Sequence, residues 1–469
     1  MAEDEEVQFE HRMSDADALM WHIERDPQLR STITSLWVLD RMPDERRLIE
    51  KIERASRLVP RLRERVSSSQ FSMSPPRWEV DPDFDLDFHF RRTRLAGQGS
   101  MRDLLDTAQL FAIQAFDRDR PLWEMRLVDG LEHGRAALIM KLHHALSDGV
   151  GLVRMTTSMV ERGREPESAD IEPMPEPPPV HLMSQAERFL DALDYERRKQ
   201  ADRVRRTWNA LGESLAGVAR NPVSAARDLS GALSSVGRLL KPVSEPASPL
   251  LQGRSSRWRF DTMRVPFGPA KEAAHRAGGR LNDAFVAAMA GGMYLYHRLH
   301  GASVEALRMG MPINLRTEAT ATKAGNQFVP VRFLVPLGIG DPKERMRAVR
   351  DLVHQQRDEP ALPIVDEIAS LLNRFPTAMT TAVFGSMMKG VDFMTSNVPG
   401  PPFEVYVSGA MVEQIYGFGP LSGAAANITL FSYNGDLGIA INTDRAAVPD
   451  PDRFLECLEE GMAEVLGVT

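Results

Sequence analysis

Apolar residues along this chain fall into two rhythms. Across residues 46–65 they recur at three- and four-residue steps, the spacing of one helix face, whereas 136–140 is a short, fully apolar run of the kind that builds a buried strand, and 31–39, 123–128 and 136–142 read as strands. Residues 1–165 therefore predict a mixed α/β lobe. Residues 166–182 are acidic and carry Pro173, Pro175, Pro177, Pro178 and Pro179, which neither a helix interior nor a central strand accommodates, so this stretch reads as linker. From 184 to about 240 the pattern turns helical, interrupted at Asn221-Pro222, and 242–253 reads as loop. Strands at 257–265, 306–313 and 329–335 then alternate with helices at 282–300 and 342–357. The expectation is a second α/β lobe over 255–469, joined to the first by a long linker over 166–254. No short-period repeat relates the two lobes.

Composition narrows the class. Length alone suggests about three domains or one large two-lobed enzyme, and 43% hydrophobic residues among 469 fill sizeable cores. A net charge of -8 argues against nucleic acid as the main partner. The single cysteine, Cys457, excludes an internal disulfide framework and points to a reducing compartment; it reads as a small buried hydrophobe in the last helix. The N-terminal Met-Ala-Glu-Asp-Glu-Glu lacks the basic and apolar regions of a secretion signal, and nowhere do about eighteen apolar residues run uninterrupted.

The chemistry concentrates where the strand at 136–142 ends, in His143-His144-Ala145-Leu146-Ser147-Asp148-Gly149. Strand side chains alternate faces, so His143 and His144 point opposite ways. One can face a reaction chamber as general base while the other packs or hydrogen-bonds behind it, and as neighbours on a strand they do not chelate one metal. Asp148 reads as a cap for the following helical pattern or as an ion-pair partner that holds the loop, ahead of a direct catalytic role. Gly149 suits a place where a ligand approaches the backbone closely. No G-x-S-x-G elbow occurs and Cys457 is remote in sequence, so a covalent serine or cysteine route has little support.

The spacing H-H-x-x-x-D-G resembles the acyl-CoA-dependent acyltransferase superfamily. Pro121-Leu122-Trp123-Glu124, Asn282-Asp283, Gly325-Asn326, Ser396-Asn397-Val398-Pro399-Gly400-Pro401 and the stretch Asn427 to Gly435 follow in the order of the bacterial wax ester synthase/diacylglycerol acyltransferase family. The resemblance spans nearly the whole chain and is weakest between about 165 and 255. It implies two chloramphenicol-acetyltransferase-like lobes with an active-site tunnel between them, and the second histidine, His144, as the base that takes a proton from an acceptor hydroxyl as it attacks a fatty acyl-CoA thioester. No cofactor is implied, acyl-CoA being a co-substrate. Asn282 is then a candidate oxyanion donor or positioner, with Asp283 beside it and Asn427 as further substrate-binding residues.

Each of those positions also has a plain structural reading. Asn282 or Asp283 alone could cap the apolar helix they precede. Trp123 reads as buried filler and is taken as scaffold. Asn397 and Pro399 belong to a proline-glycine turn whose rigidity is structural. Asn427 lies in an apolar strand, where a buried amide must find partners. Between 184 and 241, apolar residues at helical spacing alternate with many arginines, including Arg197, Arg198, Arg205 and Arg206, as an amphipathic helix pair would; packing between the lobes and contact with a membrane or lipid droplet both fit.

The expected protein is a cytoplasmic O-acyltransferase, peripheral to the inner membrane face or lipid droplets, that moves a long acyl chain from CoA to diacylglycerol or to a long-chain alcohol. A catalytically degenerate member that binds acyl-CoA or lipid, and a condensation enzyme acting on carrier-protein thioesters, are the other classes. The former would not need an intact His143-His144…Asp148-Gly149, and the latter would expect neighbouring carrier domains.

Overall fold

The computed structural model describes residues 10–67, 74–146, 158–165, 173–220, 245–314, 328–357 and 377–468. Ser14 opens helix α1 (Asp15–Ile23), its Oγ accepting the Asp17 N–H at 3.0 Å. Strand β1 (Thr32–Leu39) leads to α2 (Glu45–Leu58), the short hairpin β2 (Glu64–Ser67) and β3 (Arg77–Val80), the single turn α3 (Leu86–His89) and β4 (Phe90–Arg94). Helix α4 (Met101–Ala112), β5 (Trp123–Asp129) and β6 (Ala136–His143) complete the N-terminal part. The helical pattern over 46–65 ends early, because Pro60 lacks an amide hydrogen; the chain leaves α2 at Leu58, makes one tight turn and enters β2.

After helix α5 (Gln185–Arg220) come β7 (Trp258–Pro266), α6 (Phe267–Arg276), α7 (Leu281–Leu299), β8 (Ala306–Asn314), β9 (Phe328–Pro336) and α8 (Pro342–Arg357). The chain continues through α9 (Thr377–Met388), β10 (Phe393–Pro399), β11 (Tyr406–Val407), β12 (Ala410–Phe418), β13 (Ala426–Tyr433), β14 (Asp436–Asp444) and α10 (Pro451–Leu466). The strands and helices expected at 123–128, 136–142, 257–265, 282–300, 306–313, 329–335 and 342–357 are all present within a few residues. The segment predicted to carry the second helix of the basic pair, 221–244, lies outside the described residues.

Two six-stranded mixed sheets carry the fold, ordered β11-β12-β1-β6-β5-β4 and β7-β14-β13-β10-β8-β9. In the first, only β4 and β5 run parallel; in the second, β10 is parallel to both β13 and β8. The expected division at residue 255 is not clean. β11 and β12 leave the C-terminal part and join the N-terminal sheet, where β12 pairs with β1 from Thr34↔Phe418 to Leu39↔Val412. The physical reason is the edge that β1 would otherwise expose: β1 is buried along its whole length, and an unpaired apolar strand at a sheet edge invites aggregation.

The crossing also fixes how the sheets meet. Phe260 of β7 stacks on Phe418 of β12 at 3.9 Å, within an apolar cluster drawn from both sheets. Where β14 passes β12, a Cβ on Gly438 would stand 2.3 Å from the Ile415 carbonyl oxygen, so glycine is required for the approach. Arg102 of α4 reaches across to the Asp261 carboxylate at 2.7 Å and to the Phe260 carbonyl at 2.8 Å.

The proline-rich stretch straps along α2, with the Pro173 and Pro175 carbonyls accepting from Arg54 and Arg57 at 3.1 and 2.9 Å. Helix α5 begins at a reciprocal cap, Ser184 and Glu187 each accepting the other's N–H. It then docks on β3 and α1 through Arg188–Glu79 at 2.9 Å, Arg77–Asp191 at 3.0 Å and Lys199–Asp15 at 2.6 Å.

Candidate active site

Strand β6 is buried throughout and flanked by β1 and β5, so its last residues are held by neighbours on both sides. His143, its final residue, is fully buried. Its Nδ1 accepts the Ala145 N–H at 3.0 Å, which leaves Nε2 as the ring's donor. That nitrogen stands 3.1 Å from a Glu24 carboxylate oxygen, off the line of an ideal hydrogen bond. Trp21 and Phe116 present edge-to-face rings at 5.7 and 6.2 Å. His143 Nδ1 is thus bonded inside the protein and Nε2 faces the Glu24 carboxylate, both away from solvent.

His144 follows in the turn and is only half-buried, with its N–H donated to the Ser31 carbonyl at 2.8 Å. Burial alone would push the Glu24 carboxyl up; His143 beside it and the Ser31 N–H, donated at 2.6 Å, outweigh burial and hold it below the usual carboxylate range. Arg118 adds to that field while its guanidinium lies over the Trp21 ring at 3.6 Å.

Lys141, two residues before His143 and so on the same face of β6, is fully buried. It pairs with Glu124 directly opposite on β5, Nζ to Oε1 2.7 Å, under the rings of Phe111 and Phe116. Burial lowers the Lys141 pKa, against the pull of Glu124. Neither Glu24 nor the Glu124–Lys141 pair is found by reading the sequence. The pair lies inside the quoted motifs, but only the strand register joins its members, and Glu24 sits in a helix end that carries no motif.

Asp148 and Gly149 lie outside the described residues. Trp123 has the scaffold role expected of it: the ring is buried, its Nε1–H donates to the Leu62 carbonyl at 2.7 Å and it stacks on His89 at 4.5 Å. Asp283 makes a capping contact. Its carboxylate accepts the Arg280 N–H at 2.8 Å at the start of α7. Asn282 beside it is partly buried, and among the described residues its side-chain amide meets only the Met311 thioether at 3.8 Å, a weak acceptor. Asn427 donates to the Pro420 carbonyl at 2.7 Å and accepts from the Thr429 hydroxyl at 3.1 Å, bonds that pin the chain after β12. Asn397 and Pro399 are not in a turn. Both are exposed in β10, which runs parallel to β13 through Pro399, and the turn begins at Gly400, where a Cβ would stand 2.4 Å from the Ser432 carbonyl oxygen.

A hydroxyl–imidazole contact, Ser248 Oγ to His297 Nε2 at 2.7 Å, is fully buried in the C-terminal part. The Ser248 oxygen already accepts the Leu250 and Leu251 N–H groups, so it caps a turn and is not a nucleophile. Cys457 is buried in α10, as expected.

This mixed α/β fold, built on two six-stranded sheets, is shared with solved condensation and acyltransferase proteins. The first condensation domain of the CDA synthetase superposes with a TM-score of 0.59 at 15% identity, covering 99% of each chain, a likeness of fold alone. The wax ester synthase/diacylglycerol acyltransferase of Marinobacter aquaeolei VT8 superposes with a TM-score of 0.63 at 22% identity, covering 97% of this chain and 98% of that one. Residues 13–285 match the wax ester synthase/diacylglycerol acyltransferase catalytic domain, and 324–465 match the C-terminal domain of the same family. A Mycobacterium tuberculosis protein provisionally named a diacylglycerol O-acyltransferase is 37% identical over 464 residues, 97% of this chain and 93% of that one. The chain belongs to the wax ester synthase/diacylglycerol acyltransferase family and is an acyltransferase.

Proposed function

We propose that the protein transfers a long acyl chain from acyl-CoA to the free hydroxyl of diacylglycerol, with long-chain alcohols as the second acceptor class, and that His144 is the general base. The observation that carries this reading is the difference at the end of β6: His143 is fully buried, with Nδ1 bonded to the Ala145 N–H and Nε2 facing Glu24, while His144 is half-buried and held through its backbone N–H. His144 takes the acceptor's hydroxyl proton as the oxygen attacks the thioester carbonyl. The new C–O bond forms, the C–S bond breaks, and the proton passes to the departing CoA thiolate. Asn282, with its amide only weakly engaged, is the candidate donor to the developing oxyanion, and the site would open into a tunnel between the lobes. Asp148 and Gly149 would shape the loop that closes the motif.

The product of such a reaction is insoluble in water, which calls for delivery to a lipid surface. No helix among the described residues is long and apolar enough to cross a membrane. Helix α5 offers a peripheral alternative. One side is held by ion pairs to the N-terminal elements, while Phe189, Leu190 and Leu193 are exposed close to the exposed Arg197 and Arg198. The two readings of the basic segment, brace and lipid contact, thus fit different faces of one helix.

The test is release of free CoA from palmitoyl-CoA by the purified full-length chain with dipalmitoylglycerol, hexadecanol or a carrier-protein acceptor, with the ester identified by mass. Turnover with a lipid hydroxyl is expected, and His144→Ala is expected to lower it by about 10²- to 10⁴-fold at an unchanged melting temperature. Binding of palmitoyl-CoA without turnover on any acceptor would make the protein a lipid-binding member of its family, and wild-type rates in the His144 variant would end the mechanism.

A further inference from the structure

We propose that Glu24 is the positioning residue for the catalytic turn, fixing His144 through two separate backbone anchors that lead to one carboxylate oxygen. The inference rests on the assignment of His144 as base. Glu24 Oε1 accepts the Ser31 N–H at 2.6 Å, and the Ser31 carbonyl accepts the His144 N–H at 2.8 Å. The same oxygen lies 3.1 Å from His143 Nε2, and His143 Nδ1 accepts the Ala145 N–H at 3.0 Å. The amides on both sides of the His144 α-carbon are therefore tied back to Glu24, one through a peptide and one through an imidazole.

The helix itself does not explain a carboxylate at this place. Glu24 is the C-cap of α1, where the helix dipole favours cations over anions. Its side chain is 14% exposed, and its partners lie on the loop before β1 and at the end of β6, not on α1. Residue Arg118, packed over Trp21 against the same group, balances the charge. Because the oxygen is shared, position matters more than charge. A carboxamide oxygen at the same point could accept from both Ser31 and His143, whereas a shortened side chain reaches neither.

The test compares Glu24→Ala, Glu24→Gln and Glu24→Asp with wild type in the full-length chain, measuring kcat, KM for palmitoyl-CoA and melting temperature. Since misplacing a reacting group by about 1 Å can cost about 100-fold, Glu24→Ala is expected to lower kcat by roughly 10- to 100-fold with KM for palmitoyl-CoA within about twofold, and Glu24→Gln to restore kcat to within about threefold of wild type. If the alanine variant fails to fold, Glu24→Asp carries the test, and it must lose kcat at a native melting temperature. Wild-type kcat in the alanine or aspartate variant, or a glutamine variant as slow as alanine, overturns the proposal. His144→Gln, assayed alongside, separates the two failures: a dead His144 variant beside a fully active Glu24→Ala removes only the positioning role, while an active His144→Gln removes both.

Discussion

The end of β6 and the packed pair α7–α10 are buried alike but built on opposite principles. Around β6, charged and titratable side chains stand where apolar ones would pack: Lys141 against Glu124, His143 against Glu24, His89 under Trp123. Between α7 and α10 the side chains almost vanish. A Cβ on Gly292 would stand 2.6 Å from the Leu458 Cα, and one on Gly461 would stand 2.4 Å from both the Ala288 carbonyl oxygen and the Gly292 nitrogen. The helix backbones touch, and α7 is buried around most of its circumference by alanine, methionine and phenylalanine. One region gives up packing for oriented polar groups; the other gives up polar groups for packing density. Buried ion pairs add little net stability over well-packed apolar residues, so their presence near His144 points to orientation of the site.

This contrast can be broken from either side. Beyond the loss of turnover expected from His144→Ala, the largest stability effect should come from Lys141→Ala, which strands Glu124 and opens a hole under Phe111 and Phe116; breaking a buried pair from one side costs about 4 kcal/mol, measurable by urea denaturation. The double variant Lys141→Met with Glu124→Leu should recover most of that stability and still turn over slowly. Full stability together with full activity would show that the pair has no part in ordering the site.

Gly461→Ala should cost about 3 kcal/mol by overpacking, at the upper end for an added methyl with backbone on two sides. Its kcat should stay that of wild type in the folded fraction. A slower kcat at full folding would mean that the α7–α10 interface tunes the site and that the two regions are coupled.

The smallest effect is the response to acid. Burial holds the His89 imidazole below its ordinary value, so above about pH 6.5 its contribution is complete; as pH falls through that value the unfolded chain takes up a proton first, and stability declines by up to about 1.4 kcal/mol per pH unit. His297 in α7 adds a parallel loss. Glu24, held below its ordinary 4.5, contributes above that value and loses its contribution as pH drops beneath it. Melting temperature against pH should therefore fall in two steps, and His89→Phe should flatten part of the upper one. An unchanged upper step in that variant would assign the acid response to the C-terminal part.

Much of the architecture is legible in local pattern. The apolar run at 136–140 marks one buried strand, the stretch at 31–39 is a second in which Ser31, Thr32, Thr34 and Ser35 are buried beside their apolar neighbours, and the alternation of faces already separates His143 from His144. The apolar helix after Asn282 and the cap at its start follow from the same reasoning, although the cap is Asp283 and the roles of the two residues had to be told apart by their contacts. The proline-glycine signal near 400 was displaced, because a strand edge beside β13 tolerates Asn397 and Pro399 up to the turn itself.

What the residues determined by themselves is the kind of protein this is: the motif at His143-His144, the order of the lesser motifs and the α/β alternation each depend on spacing along the chain. What only the tertiary structure decided is which groups meet. β12 crosses from one lobe to close the β1 edge, Glu124 finds Lys141 through strand register, and Glu24, at a helix end more than a hundred residues upstream, reaches the Ser31 N–H and the His143 imidazole. Periodicity reports the face a side chain takes within its own element, a local property. Pairing between elements is set by burial and hydrogen-bond satisfaction summed over the whole fold, and no short window of sequence contains that sum.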